Sequence, residues 1–350
     1  MNSATLEVRR AVREALAELA PRRPVLVACS GGPDSLALAA AVAFVAERGG
    51  HRAGAVTVDH GLSPGSAERA RQVAAAMSDL GLDPVEVVHV LVTATGRGPE
   101  GDARAARYGA LDAAVSRHGA AAVLLGQTRD DQAETVFLGL ARGSGARSLA
   151  GMAPASGHYR RPLLALPRET VRSAVPAGVV PWEDPDNVDP AYARARVRHR
   201  VLPVLESELG PGVAAALART ADLLRADADG LDEWADRAAE RCLVAAPRAD
   251  RGDARAHEGT VEDTEVRLDV PQLSALPLAV RSRVLRRAAI VAGSPPTDLT
   301  AGHVQSLDAL VTRWHGQRGI DLPGGVRAAR RGPMITLTTA SGPLPGAEPW

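Results

Sequence analysis

Fourteen residues restrict the fold more than any other stretch: Val25-Leu26-Val27-Ala28-Cys29-Ser30-Gly31-Gly32-Pro33-Asp34-Ser35-Leu36-Ala37-Leu38. The Val-rich run reads as a buried strand, Ser-Gly-Gly-Pro-Asp-Ser as a turn, and the apolar run after it as a helix. Strand, glycine turn and helix start together make an anion cradle, because the free N–H groups of a first helical turn point at whatever lies beyond it. Gly31 and Gly32 allow close backbone approach. Pro33 suits the first helical position, and Ser30 and Ser35 add hydroxyls. Asp34 is the odd member, since a carboxylate beside phosphates needs a cation such as Mg²⁺ between them. The stretch is not a Gly-Lys-Ser/Thr nucleotide loop. The chain has no lysine, so all 41 of its Lys-plus-Arg residues are arginine.

Composition narrows the chemistry. A length of 350 residues suggests two domains. Without lysine there is no protein Schiff base and no lysyl adenylation site. Cys29 and Cys242 are the only cysteines and lie far apart, which excludes a cysteine-built iron–sulfur or zinc centre and suits a reducing compartment. A formal net charge of +0 means that a nucleic-acid partner needs a local basic face. No apolar run reaches the length of a membrane span and no apolar leader opens the chain, so a soluble cytoplasmic protein without a membrane partner is expected.

Taken in order, residues 3–20 carry Val8, Val12, Leu16 and Leu19 at helical spacing. Ala53–Val58 reads as a second strand ending in Asp59-His60-Gly61-Leu62, and polar residues at such a strand end lie where open α/β sheets bind ligands. After a helix near 65–80 come a strand at 85–92 and a helix at 102–118, in which Arg104 and Arg107 share a face. Ala121–Leu125 is the fourth strand. Asp130, Asp131 and Glu134 open the helix after it, with Asp131 and Glu134 on one face. Two such carboxylates need a shared cation, Mg²⁺ or an ammonium, unless they serve only as dipole partners for the helix. Arg194, Arg196, Arg198 and Arg200 follow at alternate positions, as phosphate clamps or as a solvated charged helix. Alternating strands and helices give an α/β fold with a doubly wound parallel sheet.

The second half reads as a mostly helical α+β domain. A helix spans 212–243, a polar insertion 246–264, a strand 266–270, helices 278–291 and 300–314, and a β-rich end 319–338. Arg283 and Arg286 on the helix, with Arg327 on the hairpin, form a candidate basic face for a phosphate backbone. The predicted domains are 1–205 and 206–340, with a flexible tail at 341–350.

The pattern Ser30-Gly31-Gly32-x-Asp34-Ser35 after a hydrophobic strand resembles the pyrophosphate loop of the N-type ATP pyrophosphatases, whose domain is adenine-nucleotide hydrolase-like. Further ordered blocks are similar to the tRNA(Ile)-lysidine synthetase family: Asp59-His60-Gly61-Leu62, Glu100…Arg104…Arg107-Tyr108, Asp130-Asp131-Gln132-Ala133-Glu134-Thr135, Arg142-Gly143-Ser144-Gly145, Trp182-Glu183-Asp184-Pro185 and Leu322-Pro323-Gly324-Gly325-Val326-Arg327. The resemblance implies that ATP adenylates O2 of the wobble cytidine of an isoleucine tRNA with a CAU anticodon. Free L-lysine then displaces AMP to give lysidine. It implies ATP binding by Ser30, Gly31, Gly32, Pro33, Asp34, Ser35, Asp59 and His60, with Mg²⁺ on Asp34. Lysine would bind at Asp131 and Glu134, and Asp34, Asp131, Arg194 and Arg196 would be catalytic. The tRNA would meet Arg104, Arg107, Arg283, Arg286 and Arg327. The sequence leaves a homodimer open. Two residues depart from the family pattern: Gln127 replaces its usual His, and Ala195 its usual Asn. Rival readings are a small-molecule amide synthetase, a tRNA thiolase, which would need cysteine clusters, and a non-catalytic tRNA-binding protein.

Overall fold

In the computed structural model, residues 2–20, 23–61, 65–96, 98–244 and 265–339 are described. The polar insertion at 246–264 and the tail at 341–350 lie outside them. The chain divides into two units, Met1–Arg225 and Ala226–Trp350. The division falls inside a long helix rather than at residues 205/206.

The first unit opens with α1 (Ser3–Ala17), capped by the Asn2 side chain, which accepts from the Thr5 N–H at 2.8 Å. It buries Val8, Val12 and Leu16, the face its spacing predicts. β1 (Val25–Ala28), α2 (Pro33–Gly49), β2 (Ala53–Asp59), α3 (Ser66–Asp79), β3 (Val85–His89), α4 (Pro99–His118), β4 (Ala122–Leu124) and α5 (Arg129–Ala141) follow. β1 pairs in parallel with β2 on one side and β4 on the other, so strand order reverses beside β1. Ligands of doubly wound sheets sit at such a switch point, outside the carboxyl ends of the strands. Both chemically suggestive loops, after β1 and after β4, emerge there.

After α6 (Ala146–Leu149), the hairpin β5 (Ala155–Ser156) and β6 (Tyr159–Arg160) completes the order β3-β2-β1-β4-β6-β5. Tyr159 and Arg160 pair with β4 and β5 and the ladder stops there, since Pro162 has no N–H to continue it. α7 (Arg168–Arg172), α8 (Ala193–Arg196), a π-helical turn (Val197–Val201) and α9 (Leu202–Glu208) lead into α10 (Val213–Cys242). One face of the sheet packs Val25, Val27, Ala55 and Leu124 against α1, α2, α3 and α7, and the other packs Leu26, Val56 and Val123 against Leu111 and Ala114 of α4. Cys29 is buried in the first of these clusters as a small core residue.

Among the described residues, the second unit holds an antiparallel sheet, the C-terminal part of α10, and the helices α11 (Val270–Ser274), α12 (Leu278–Val291) and α13 (Ala301–Thr312). Its strands are β7 (Leu243–Val244), β8 (Glu265–Asp269), β9 (Ile320–Leu322), β10 (Val326–Arg331) and β11 (Met334–Thr339), in the order β7-β8-β11-β10-β9. Leu268, Leu273, Leu285, Leu307, Leu310 and Leu337 centre its core.

The α12 arginines do not form the free basic face that the sequence suggested. Arg283 Nε donates to Asp232 at 2.8 Å, and Arg286 donates to the carbonyls of Leu299 and Pro296, each at 2.6 Å. Arg281 and Arg287 are likewise tied, to Asp308 and to Asp236. Half-buried guanidinium groups take nearby acceptors because leaving them unpaired is costly. Only Arg327 of the three called residues lies at the surface, where it pairs with the exposed Asp321.

Arg286→Ala is therefore expected to strand two carbonyls and to cost about 1–3 kcal/mol, whereas Arg327→Ala costs less than about 1 kcal/mol. Urea melts of the two variants check this ordering, and equal losses would refute it.

Candidate active site

The β1 loop is held from within. Gly31 lies at φ +83°, and a Cβ there would meet Val73 Cγ2 at 2.6 Å, so only glycine fits the turn. Gly32 is the N-cap of α2 and Pro33 its first residue. Ser35 Oγ donates to Gly32 O at 2.9 Å and accepts from Ser30 N at 3.2 Å. The Ser35 hydroxyl thus fastens the loop, while Ser30 stays exposed. Trp182 N donates to Gly31 O at 2.9 Å, drawing the Trp182–Glu183 segment onto the loop.

Asp34 stands at the first turn of α2 with one carboxylate oxygen, Oδ1, buried and without a partner. Its other oxygen is 3.9 Å from Arg168 Nε. Burial, and then the charge of Asp131, push its pKa up to about 6 against the partial relief of Arg168. An under-coordinated, charge-strained carboxylate at the mouth of a phosphate cradle fits a Mg²⁺ ligand. Gly126, at the end of β4, lets that strand approach: a Cβ there would sit 3.2 Å from Asp34 O.

Two further buried polar atoms at this edge lack partners, His60 Nδ1 after β2 and Gln127 Oε1 after β4. With Asp34 Oδ1 they lie at the carboxyl ends of β1, β2 and β4, the pattern of a polar cradle around a nucleotide. Asp59 is instead used in the fold. It accepts from Gly61 N at 3.0 Å and from His89 Nδ1 at 3.1 Å. Although burial alone would raise its pKa, these bonds and one from Ser66 hold it below the usual carboxylate range.

The carboxylate pair has found its cations. Asp131 Oδ2 accepts from Thr128 N and Oγ1, capping α5, and Asp131 Oδ1 accepts from Arg168 and Arg198 at 2.8 and 3.0 Å. Glu134, 0 % exposed, accepts from Arg168 at 3.0 Å and from Arg198 at 2.7 and 3.0 Å. Burial would raise the Asp131 pKa, but Arg168, the Thr128 N–H and Arg198 together lower it. Asp130 Oδ2 accepts from Arg168 N, so the three acids that open α5 also fix the start of α7.

Arg168 and Arg198 are the site residues that sequence reasoning passed over. Arg198 carried a signal: it lies four residues after Arg194, one helical turn on the same face. Arg194 reaches Thr135 Oγ1 at 3.3 Å and lies 3.8 Å from Glu134. Arg196 and Arg200 take the other face and are exposed, and Arg196 donates to Pro190 O and Ala191 O. Arg196 is thus separated from the acids. Arg104 and Arg107 lie beside Tyr108, and Arg104 donates to its hydroxyl at 3.2 Å. Desolvation, then the charges of Arg104 and Arg194, lower the Arg107 pKa. Arg104, Arg107 and Arg194 therefore form one cationic patch that an anion would relieve.

Family models match the chain twice: a PP-loop domain over residues 4–205 and a TilS substrate binding domain over 268–332. A tRNA(Ile)-lysidine synthase of Thermobifida fusca is 57 % identical over 332 residues, covering 95 % of this chain and 96 % of that protein. One of Streptomyces coelicolor is 55 % identical and covers 91 % of this chain and 88 % of that protein. Among solved structures, the U34-tRNA thiolase NcsA of Methanococcus maripaludis superposes with a TM-score of 0.53 at 19 % identity, over 63 % of this chain and 80 % of that one, a likeness of fold alone.

The raised Asp34 pKa has a stability consequence. The folded chain holds this proton more tightly than the unfolded one, so the contribution of Asp34 is most favourable below about pH 4 and is lost as pH rises through 6. Without nucleotide or metal, Asp34→Asn should melt several degrees above the wild type at pH 8, a gain of about 3 kcal/mol, and should match it near pH 4. Mg²⁺ should raise the melting temperature of the wild type at pH 8 and not that of the variant. A pH-independent gap between the two would refute the assignment.

Proposed function

Since the chain belongs to the tRNA(Ile)-lysidine synthase family, we propose that it joins free L-lysine to C2 of the wobble cytidine of an isoleucine tRNA with a CAU anticodon, in the cytoplasm, using ATP. The observation that carries this reading is the meeting of an anion cradle and a carboxylate–arginine cluster at one sheet switch point. The cytidine O2 forms a bond to the α-phosphorus of ATP and the α–β bond breaks, releasing pyrophosphate. A lysine amine then bonds to C2 and the C2–O bond breaks, releasing AMP and a proton.

The protein's part is to hold and to neutralise. The N–H groups at the start of α2, with Ser30, bind the phosphates. Asp34 would hold Mg²⁺, which supplies charge neutralisation at the leaving pyrophosphate when bound. His60 and Gln127 offer their unpartnered atoms to the nucleotide. Gln127 can hydrogen-bond there but cannot act as an imidazole acid. Asp131 and Glu134 draw an ammonium of lysine. A carboxylate pair favours the charged form of an amine, so it suits the α-ammonium and leaves the ε-amine free to attack.

For the tRNA, the cationic patch of Arg104, Arg107 and Arg194 is the candidate contact in the first unit. In the second unit the exposed Arg327 and Arg331 of β10 are the more accessible candidates, since Arg283 and Arg286 of α12 already carry partners within the fold.

Incubation with ATP, radiolabelled lysine and this tRNA is expected to incorporate lysine, and Asp34→Ala to abolish it. Incorporation that survives Asp34→Ala would overturn the loop assignment. Tight tRNA binding with no incorporation would favour the binding-only reading. Arg327→Ala/Arg331→Ala should weaken tRNA binding without altering the melt.

A further inference from the structure

A cavity of about 660 Å³ opens beside the acid pair. Its wall includes Arg168, Arg198, Asp130 and Glu169, and neither Asp131 nor Glu134. Arg168 and Arg198 stand between the cavity and the pair, beside the acids Asp130, Glu169 and Glu183 that would draw a cation in. Every carboxylate oxygen of the pair already accepts from Arg168, Arg198 or Thr128. An ammonium can therefore reach Asp131 and Glu134 only by displacing an arginine.

The two arginines are not equally held. Arg198 grips with two nitrogens, Nε and Nη2, in a fork on Glu134. Arg168 bonds through Nη2 alone. Its Nε is buried without an acceptor and lies 3.9 Å from Asp34, whose own Oδ1 is also unpartnered. Arg168 is therefore the more weakly gripped of the two, held on the acids through one nitrogen where Arg198 uses two.

We propose that Arg168 is the exchangeable cation of this site: it fills the ammonium position on Asp131 and Glu134 and gives it up when lysine enters from the cavity. The inference rests on the reading of Asp131 and Glu134 as the lysine-binding pair. It makes Arg168 a specificity-determining residue, because only a cation that outcompetes a guanidinium for two carboxylates gains the site. A ligand without a free ammonium group would leave Arg168 in place.

Competition of this kind raises the apparent dissociation constant of the incoming ligand by the inverse of the fraction of sites left free. Arg168→Ala should therefore lower the KM for lysine, by about tenfold if the arginine occupies nine sites in ten. Methylguanidinium at millimolar concentration should raise that KM again, competitively, in the variant and not in the wild type. Arg168→Gln, which keeps more of the side-chain volume, should shift KM in the same direction and guards against a folding defect, read by thermal melting. A KM that is unchanged or raised in both variants would overturn the proposal. So would methylguanidinium that restores kcat without touching KM, the signature of a merely structural role. Asp131→Asn separates the two layers. If it leaves the lysine KM unchanged, the lysine-binding reading itself falls. If it raises KM while the Arg168 variants do nothing, only the exchange falls.

Discussion

The buried Glu134 carboxylate sets the terms for the catalytic unit. A fully enclosed negative charge is tolerable only when paired and hydrogen-bonded. Its partners come from elements far apart in sequence: Arg168 from the start of α7, Arg198 from the π turn, and Arg194 from α8. The same network reaches Asp34 on the phosphate loop through Arg168. One electrostatic requirement thus ties α2, α5, α7 and α8 into a fixed arrangement at the sheet's ligand edge. Removing Arg198, which holds Glu134 through two nitrogens, would leave that charge poorly compensated, whereas without Arg168 both acids keep Arg198.

The sheet supplies what the charges need. With β1 flanked by β2 and β4, the loops after β1 and β4 open side by side, and Gly126 removes the side chain that would hold them apart. The proximity of Asp34 to Asp131 is a cost in isolation, seen in the raised Asp34 pKa. On the proposed reading, a Mg²⁺ ion at Asp34 would relieve the strain that this proximity creates.

Much of this was legible in the residues because the signals are local. Strand, glycine turn and helix at 25–38, and the acids opening α5, are short-range patterns with a fixed physical meaning. What escaped was set by distant partners. Arg168 follows Leu166-Pro167 with no motif around it, and its role exists only because the starts of α5 and α7 meet. The arginines of α12 looked like a basic stripe, but Asp232 and the carbonyls of Pro296 and Leu299 take their charge, and no helical periodicity shows that. The alternating arginines at 194–200 were half readable. Spacing of four separates an inward pair from an outward pair, yet the π turn at Val197–Val201 cannot be foreseen from sequence.

The absence of lysine from the chain acquires a chemical meaning at this site, whatever set the composition. The second step of the proposed reaction is attack by an amine on an activated base. A protein lysine held at the position of Arg168 would be a competing nucleophile beside the electrophile, able to trap it once its proton was lost. A guanidinium stays protonated, and here Asp131 and Glu134 outweigh the effect of burial to hold the Arg168 pKa above that of an ordinary arginine. It can fill the ammonium position, neutralise both carboxylates and leave on demand, yet it has no free amine with which to react. Arginine and lysine are not interchangeable in such a role.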